Sequence, residues 1–369
     1  MGWILKVEGK RGLRYKAGWR DPSKRVRYKS FPRWRDANEF LKQLEGSKSQ
    51  GTYRDPSAGR EPLESYLTDW LASAVDLRPS TKALYETEAR LYVLPWFGQM
   101  PLAEIGKGEV RRFIADLDKR GVGARTIQLS RQLLARVLRQ AVDDGLIPAN
   151  PTTNVPAPPT SRKAPRVLTP AEVETIAEKI NPRFRALVLT QAYAALRYGE
   201  VAGLRWSRVR LLERKLDIEE QLTEVRGYVA FGPTKSGQRR TVSIPQFIAD
   251  ELAAHAEAFP SSDLVFTASE GGPIPGNRFR KRYWAKAVKA AKVKPSPTPH
   301  DLRHFGASVA IQAGAHPKAI QSRLGHASIT TTLNTYGALF PHLDEELADA
   351  LDEIDRSGGA VVALEEHSG

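Results

Sequence analysis

The hydrophobic period changes near Glu61, from the twofold alternation that opens the chain to a helical spacing of about 3.6. Before it, Leu13, Tyr15, Ala17 and Trp19 fall on one side of an extended segment, and Arg14 and Lys16 on the other. A second run sets Val26 and Tyr28 against Arg25, Arg27 and Lys29, and a helix follows with the apolar stripe Ala37, Phe40, Leu41 and Leu44. The expected product is a sheet of two or three strands backed by one helix, its outer face basic with Arg14, Lys16, Arg25, Arg27 and Lys29. A ribbon of that size fits the major groove of B-DNA, so residues 1 to 58 read as a DNA-binding module. A solvated basic face fits the same residues.

Beyond Glu61 the spacing is helical. Leu63, Tyr66, Leu67, Trp70 and Leu71 make one amphipathic stripe, with Pro62 suited to its first turn, and Ser80 is a candidate cap for the next helix. Val110, Phe113, Ile114 and Leu117 define a third helix, and Ile127, Leu134, Val137, Leu138 and Ala141 a fourth that ends near Gly145. Residues 59 to 150 are therefore expected as an all-helical domain. Its surface arginines, among them Arg111, Arg112, Arg125, Arg131, Arg136 and Arg139, suit either a duplex or solvent. Residues 151 to 165 hold five prolines and read as an extended linker. Thr169, Pro170 and Glu172 then have the types and spacing of a capping box that opens a new domain, residues 166 to 342.

Composition narrows the partner. At 369 residues two or three domains are expected, and no stretch nears the roughly 20 apolar residues that span a bilayer. No charged-then-apolar leader opens the sequence, and the absence of cysteine excludes a disulfide framework, so a cytoplasmic location is expected. The net charge of +14 suits a polyanion, nucleic acid first and a membrane surface as the other reading. It is uneven: +10 over residues 1 to 60 and −8 over residues 341 to 369. In that acidic tail Leu343, Leu347, Ala350, Leu351 and Ile354 recur at helical spacing, which predicts a short helix docking on a neighbouring protomer or in cis.

The residues able to carry chemistry come late. A helix is expected to run into Ala-Leu-Arg-Tyr-Gly-Glu-Val, with Arg197 beside its apolar body and Glu200 one turn on, a spacing that also suits a plain structural pair. Two apolar segments flanking Pro233 to Gly237 read as a β-hairpin with Lys235 near its tip. His-Asp-Leu-Arg-His opens a further helix, where His300 and Arg303 share a face. Leu-Gly-His ends in His326, and Tyr336 follows ten residues later. Each piece alone has an ordinary structural reading.

Together, in this order and spacing, they resemble the tyrosine recombinase (phage integrase) family across residues 169 to 340. The resemblance implies a multidomain, mainly α protein with small β elements: an N-terminal three-stranded sheet plus helix, a helical (SAM-like) core-binding domain, and a mixed α/β, mostly helical catalytic domain. It is looser over residues 1 to 58, which are similar to an arm-binding domain. Ala195 stands where the family commonly has glycine, read here as a packing change only.

The family's chemistry maps onto Arg197, Lys235, His300, Arg303, His326 and the nucleophile Tyr336, with Glu200 in support. Arginine forks suit the charge that builds on two phosphate oxygens during attack by a tyrosine hydroxyl. His300 would accept or relay the nucleophile's proton, His326 would donate to the phosphate, and Lys235 would protonate the departing 5′-hydroxyl, each transfer being worth roughly 10²- to 10⁴-fold. The resemblance implies no metal or cofactor and a homotetramer on double-stranded DNA with core-type and arm-type sites, assisted by DNA-bending proteins and a directionality factor. It places the protein in a bacterial host cell, on the nucleoid when bound. A type IB topoisomerase, which acts as a monomer, and a non-catalytic DNA-binding protein are the rivals; Leu-Gly-His and the N-terminal module argue against the first, and the complete catalytic set against the second.

Overall fold

A computed structural model describes residues 2–9, 12–20, 26–49, 59–160 and 166–339, with a few positions between 348 and 356. Arg25, residues 161–165 and most of the tail stripe (Leu343, Leu347, Ala350 and Ile354) lie outside the described residues. The chain forms two compact units, residues 1–161 and 162–369. Among the described residues, no helix is long and apolar enough to cross a membrane.

The first unit opens with β1 (Trp3–Gly9), β2 (Gly12–Arg20) and β3 (Val26–Phe31), an antiparallel sheet in that order, and α1 (Trp34–Ser49). Ala17, Trp19, Ala37, Leu41 and Leu44 form their own small core, as the alternation of β2 and the stripe of α1 require. The phase of β3 is the reverse of the sequence expectation. Directly opposed residues of an antiparallel pair share a face, and here Trp19 faces Arg27, Ala17 faces Lys29 and Tyr15 faces Phe31. Arg27 and Lys29 therefore lie on the helix side, where the Lys29 ammonium sits 4.8 Å from the ring centre of Phe40. Val26 and Tyr28 are exposed on the outer face with Arg14 and Lys16. There Tyr28 meets Trp3 edge-on at 5.9 Å. Glycine at position 18 makes room for the Trp3 indole, since a Cβ there would fall 2.5 Å from it.

The rest of this unit is helical: α2 (Leu63–Ser73), α3 (Pro79–Glu88), α4 (Leu94–Phe97), α5 (Lys107–Lys119) and α6 (Ala124–Asp143). The stripes read from sequence are buried together, with Leu63, Phe97, Phe113, Leu117, Leu134 and Val137 at the centre. Ser80 does not cap α3; Pro79 takes the first helical position and Arg78 the cap, without a side-chain bond. Nor is the first half of the proline-rich stretch a free spacer. Proline removes donors but leaves carbonyl acceptors. Gln128 Nε2 donates to Pro158 O at 2.9 Å and Arg131 Nη1 to Thr152 O at 3.1 Å, while Thr152 and Val155 are buried.

The second unit begins with α7 (Pro170–Lys179), closed by the expected capping box: Thr169 Oγ1 accepts from Glu172 N and Glu172 Oε2 from Thr169 N. Then come α8 (Arg185–Tyr193), α9 (Tyr198–Ala202), β4 (Val209–Arg210), β5 (Lys215–Ile218), β6 (Glu220–Val225), β7 (Tyr228–Pro233) and β8 (Arg240–Ser243). The strands form a β4-β5-β8 sheet and a separate β6-β7 hairpin. The expected hairpin around Lys235 therefore does not exist. Its two flanks pair with different partners, and Lys235 lies on the turn that carries the chain from one sheet to the other. The helices α10 (Gln246–Ala258), α11 (Gly276–Phe279), α12 (Ala285–Ala291) and α13 (Asp301–Gln312) pack on one large core, and α14 (Pro317–Leu324) and α15 (Ile329–Tyr336) join α13 and Ala195 in a second, smaller one.

Candidate active site

The site is built on a turn that the sequence disguises. α8 stops at Tyr193 instead of running on to Arg197, and Ala195 follows in the left-handed region at φ 54°. Such a conformation costs a non-glycine residue about 1–2 kcal/mol. Ala195 is therefore a backbone substitution and not only a packing change. The turn aims the Ala195 carbonyl at Arg303, whose Nη1 donates to it at 2.8 Å while Nη2 donates to Leu324 O at 2.6 Å. Gly306, one turn further along α13, permits the crossing: a Cβ there would lie 2.2 Å from Ala192 O.

Arg197 ends the same turn as the N-cap of α9. Its backbone N and its Nη1 both donate to Glu200, each at 2.9 Å. Glu200 is buried; burial alone would raise its carboxyl, but the hydrogen bonds from Arg240, then the charges of Arg240 and Arg197, hold it below the usual carboxylate range. Arg303, only 2% exposed, is pushed down to about 9 by burial and then by Arg197, and so stays charged at neutral pH.

One open cleft of about 420 Å³ collects the predicted side chains: Arg197, Lys235, His300, Arg303, His326 and Tyr336 line it together with Ser236 and His304. Glu200 lies behind it against Arg197. Burial, then the charges of Arg303 and Arg197, lower His326 to about 4, and its Nδ1 lies 2.9 Å from Thr332 Oγ1. His300 is exposed at the cleft mouth. The surrounding protein, then His304 and Arg303, lower it, and water at the cleft mouth screens those two charges.

Tyr336 is buried, and burial raises its hydroxyl to about 12 against the opposing charges of Arg303 and Arg197. Its hydroxyl lies 2.8 Å from Nδ1 of His304, not from His300. Sequence reasoning missed His304, although it stands one turn after His300 in the same motif. It missed Arg240 as well, which lies beside the exposed Arg239 on a short strand and gave no sign of burial.

The residues read as DNA-binding divide. Arg14, Lys16 and Arg125 are exposed, Arg27 and Lys29 lie on the helix side of their sheet, and Arg131 is half-buried and spent on the Thr152 carbonyl.

A mostly helical catalytic unit with two arginines, histidines, a lysine and a tyrosine converging on one cleft defines the class of tyrosine recombinases. Residues 166–342 match the phage integrase family and residues 63–157 the phage integrase central domain. An integrase of Mycobacterium phage FRAT1 is 30% identical over 306 residues, covering 79% of this chain and 88% of that one. The Tn1549 transposon integrase, solved with a circular intermediate DNA, shares the fold with a TM-score of 0.69 at 18% identity over 80% of this chain and 99% of that one. A lambda integrase tetramer bound to a Holliday junction does so at 0.60 and 18%, over 86% and 92%. The chain belongs to the phage integrase family. It is a site-specific recombinase that acts in integration or excision.

Proposed function

We propose that Tyr336 cleaves one DNA strand by attacking the scissile phosphorus, forming a 3′-phosphotyrosyl bond as the bond to O5′ breaks. The observation that carries this reading is the Tyr336 hydroxyl, 2.8 Å from His304 Nδ1, in the cleft that Arg197 and Arg303 line. The tyrosine proton passes to His304 Nδ1, and the His300 ring lies edge-on beside it, 4.8 Å away between ring centres. The two guanidiniums neutralise the phosphate oxygens, His326 donates to one of them, and Lys235 protonates the leaving O5′. Attack by a 5′-hydroxyl of another strand reverses the step, so no metal or nucleotide cofactor is needed and bond energy is conserved. The working assembly is a homotetramer on two duplexes, with residues 1–58 holding arm-type sites and residues 59–342 the core-type sites. Host DNA-bending proteins and a directionality factor complete the partner set.

On a nicked suicide substrate, with chelator present, the wild type is expected to accumulate a denaturant-resistant protein–DNA adduct, and Tyr336→Phe none. Phenylalanine keeps the ring's packing and loses only the atom that forms the ester. An adduct from the variant would mean another nucleophile, and none from the wild type on its cognate site would overturn the reading.

A further inference from the structure

The cleft side chains come from separate segments, and one buried side chain outside the cleft ties three of them together. Arg240 opens β8, five residues after Lys235. Its Nη1 and Nη2 donate to the two oxygens of Glu200 at 3.1 and 2.7 Å, and its Nε donates to Arg323 O at 2.9 Å. The side chain is 9% exposed. The loop before His326 closes on it, since a Cβ on Gly325 would stand 2.9 Å from Arg240 Nη1. Three cations face Glu200: Arg197 from its own turn, Arg240 from β8, and Arg303 from α13 at 3.9 Å, too far for a hydrogen bond.

We propose that Arg240 is a positioning residue for strand cleavage, engaging both oxygens of Glu200 from outside the cleft so that the forks of Arg197 and Arg303 stay turned toward the scissile phosphate. This rests on the reading that Tyr336 cleaves DNA in this cleft. A planar guanidinium met fork to fork occupies a carboxylate more completely than a point charge does. Without Arg240, a buried Glu200 would have only Arg197 and Arg303 with which to satisfy its oxygens. Drawing Arg303 in from 3.9 Å would take its fork off the phosphate. The charge facing the substrate would fall as well, because Arg240 supplies one of three cations around a single carboxylate.

The test uses the full-length protein and the suicide substrate, reading adduct formation at saturating DNA, DNA affinity and thermal unfolding in parallel. Arg240→Gln is expected to slow adduct formation about 100-fold, the scale of losing one preorganised hydrogen-bond donor to the transition-state oxygens, with affinity changed only a few-fold. The decisive variant is Glu200→Gln/Arg240→Gln. If Arg240 acts by occupying Glu200, removing the carboxylate's charge frees the arginines again, so the double variant cleaves faster than Arg240→Gln alone. A purely structural Arg240 predicts the opposite, a double variant no faster than the single one. Should Arg240→Gln fail to unfold cooperatively, the same comparison runs between Arg240→Lys and Glu200→Gln/Arg240→Lys. Wild-type rates in Arg240→Gln, or a double variant no faster than the single, overturn the proposal while leaving the Tyr336 reading intact. A wild type that forms no adduct overturns both.

Discussion

At the scale of single residues, charge and burial decide the protonation states that the chemistry needs. His326 shows the consequence for stability. Its ordinary value of 6.5 is lowered to about 4, first by burial and then by Arg303 and Arg197. Below pH 6.5 the unfolded chain takes up a proton at this position that the folded chain refuses. The stability His326 contributes is therefore complete above about pH 6.5 and is lost progressively as pH falls toward 4. Denaturant midpoints of the wild type should drop more steeply between pH 7 and pH 5 than those of His326→Gln, which has no proton to gain. Parallel curves would show that His326 titrates freely. Residue types and spacing made the cleft's members legible, because Arg197, Arg303, His326 and Tyr336 stand in motifs fixed along the chain. They did not reveal which histidine meets Tyr336. His300 and His304 lie one turn apart, and the choice is made by α15, more than twenty residues further on, through packing that no local pattern records.

Among the elements, periodicity identified strands and helices more faithfully than it identified their partners. The stripes of α1, α2, α5 and α6 are buried as read, because helical spacing carries its own geometry. Period two marks a strand but not its neighbour, so β7 and β8 read as one hairpin when β8 pairs instead with β5, across the whole β6-β7 insertion. The inverted phase of β3 has a related cause: Lys29 can reach over Phe40 by its aliphatic stem, leaving Tyr28 for the outer face. The crossing of α13 and α8 leaves no room for a side chain. Gly306→Ala would place a methyl 2.2 Å from the Ala192 carbonyl and 2.9 Å from Ala195 Cβ, the latter on the turn that Arg303 holds. We expect a loss of about 3 kcal/mol in urea unfolding, at the upper end for overpacking, and a larger fall in cleavage than in DNA affinity, because the Ala195 turn must shift. Unchanged stability would mean that the two helices can part without cost.

For the whole molecule, the uneven charge and the faces of the N-terminal sheet make the proposed arm-binding role testable. Within the +10 of residues 1 to 60, the described cations of the N-terminal sheet fall on both of its faces. Arg14 and Lys16 share the outer face with Trp3 and Tyr28, whereas Arg27 and Lys29 lie toward α1. If residues 1–58 grip arm-type DNA through the outer face, removing each phosphate-neutralising cation should lower the salt dependence of binding by about 0.9 in log K against log salt. Arg14→Ala/Lys16→Ala should therefore weaken binding to arm-bearing duplexes and flatten that slope, while leaving core-site adduct formation near wild type. Lys29→Ala should do the reverse, lowering the stability of the small core and moving the slope little. A duplex lacking arm sequences controls for general loss of charge, since both variants should bind it about equally. Equal effects of the two substitutions on arm binding would return Lys29 to the DNA face. Full recombination of arm-bearing sites by residues 59–369 alone would remove the arm-binding assignment.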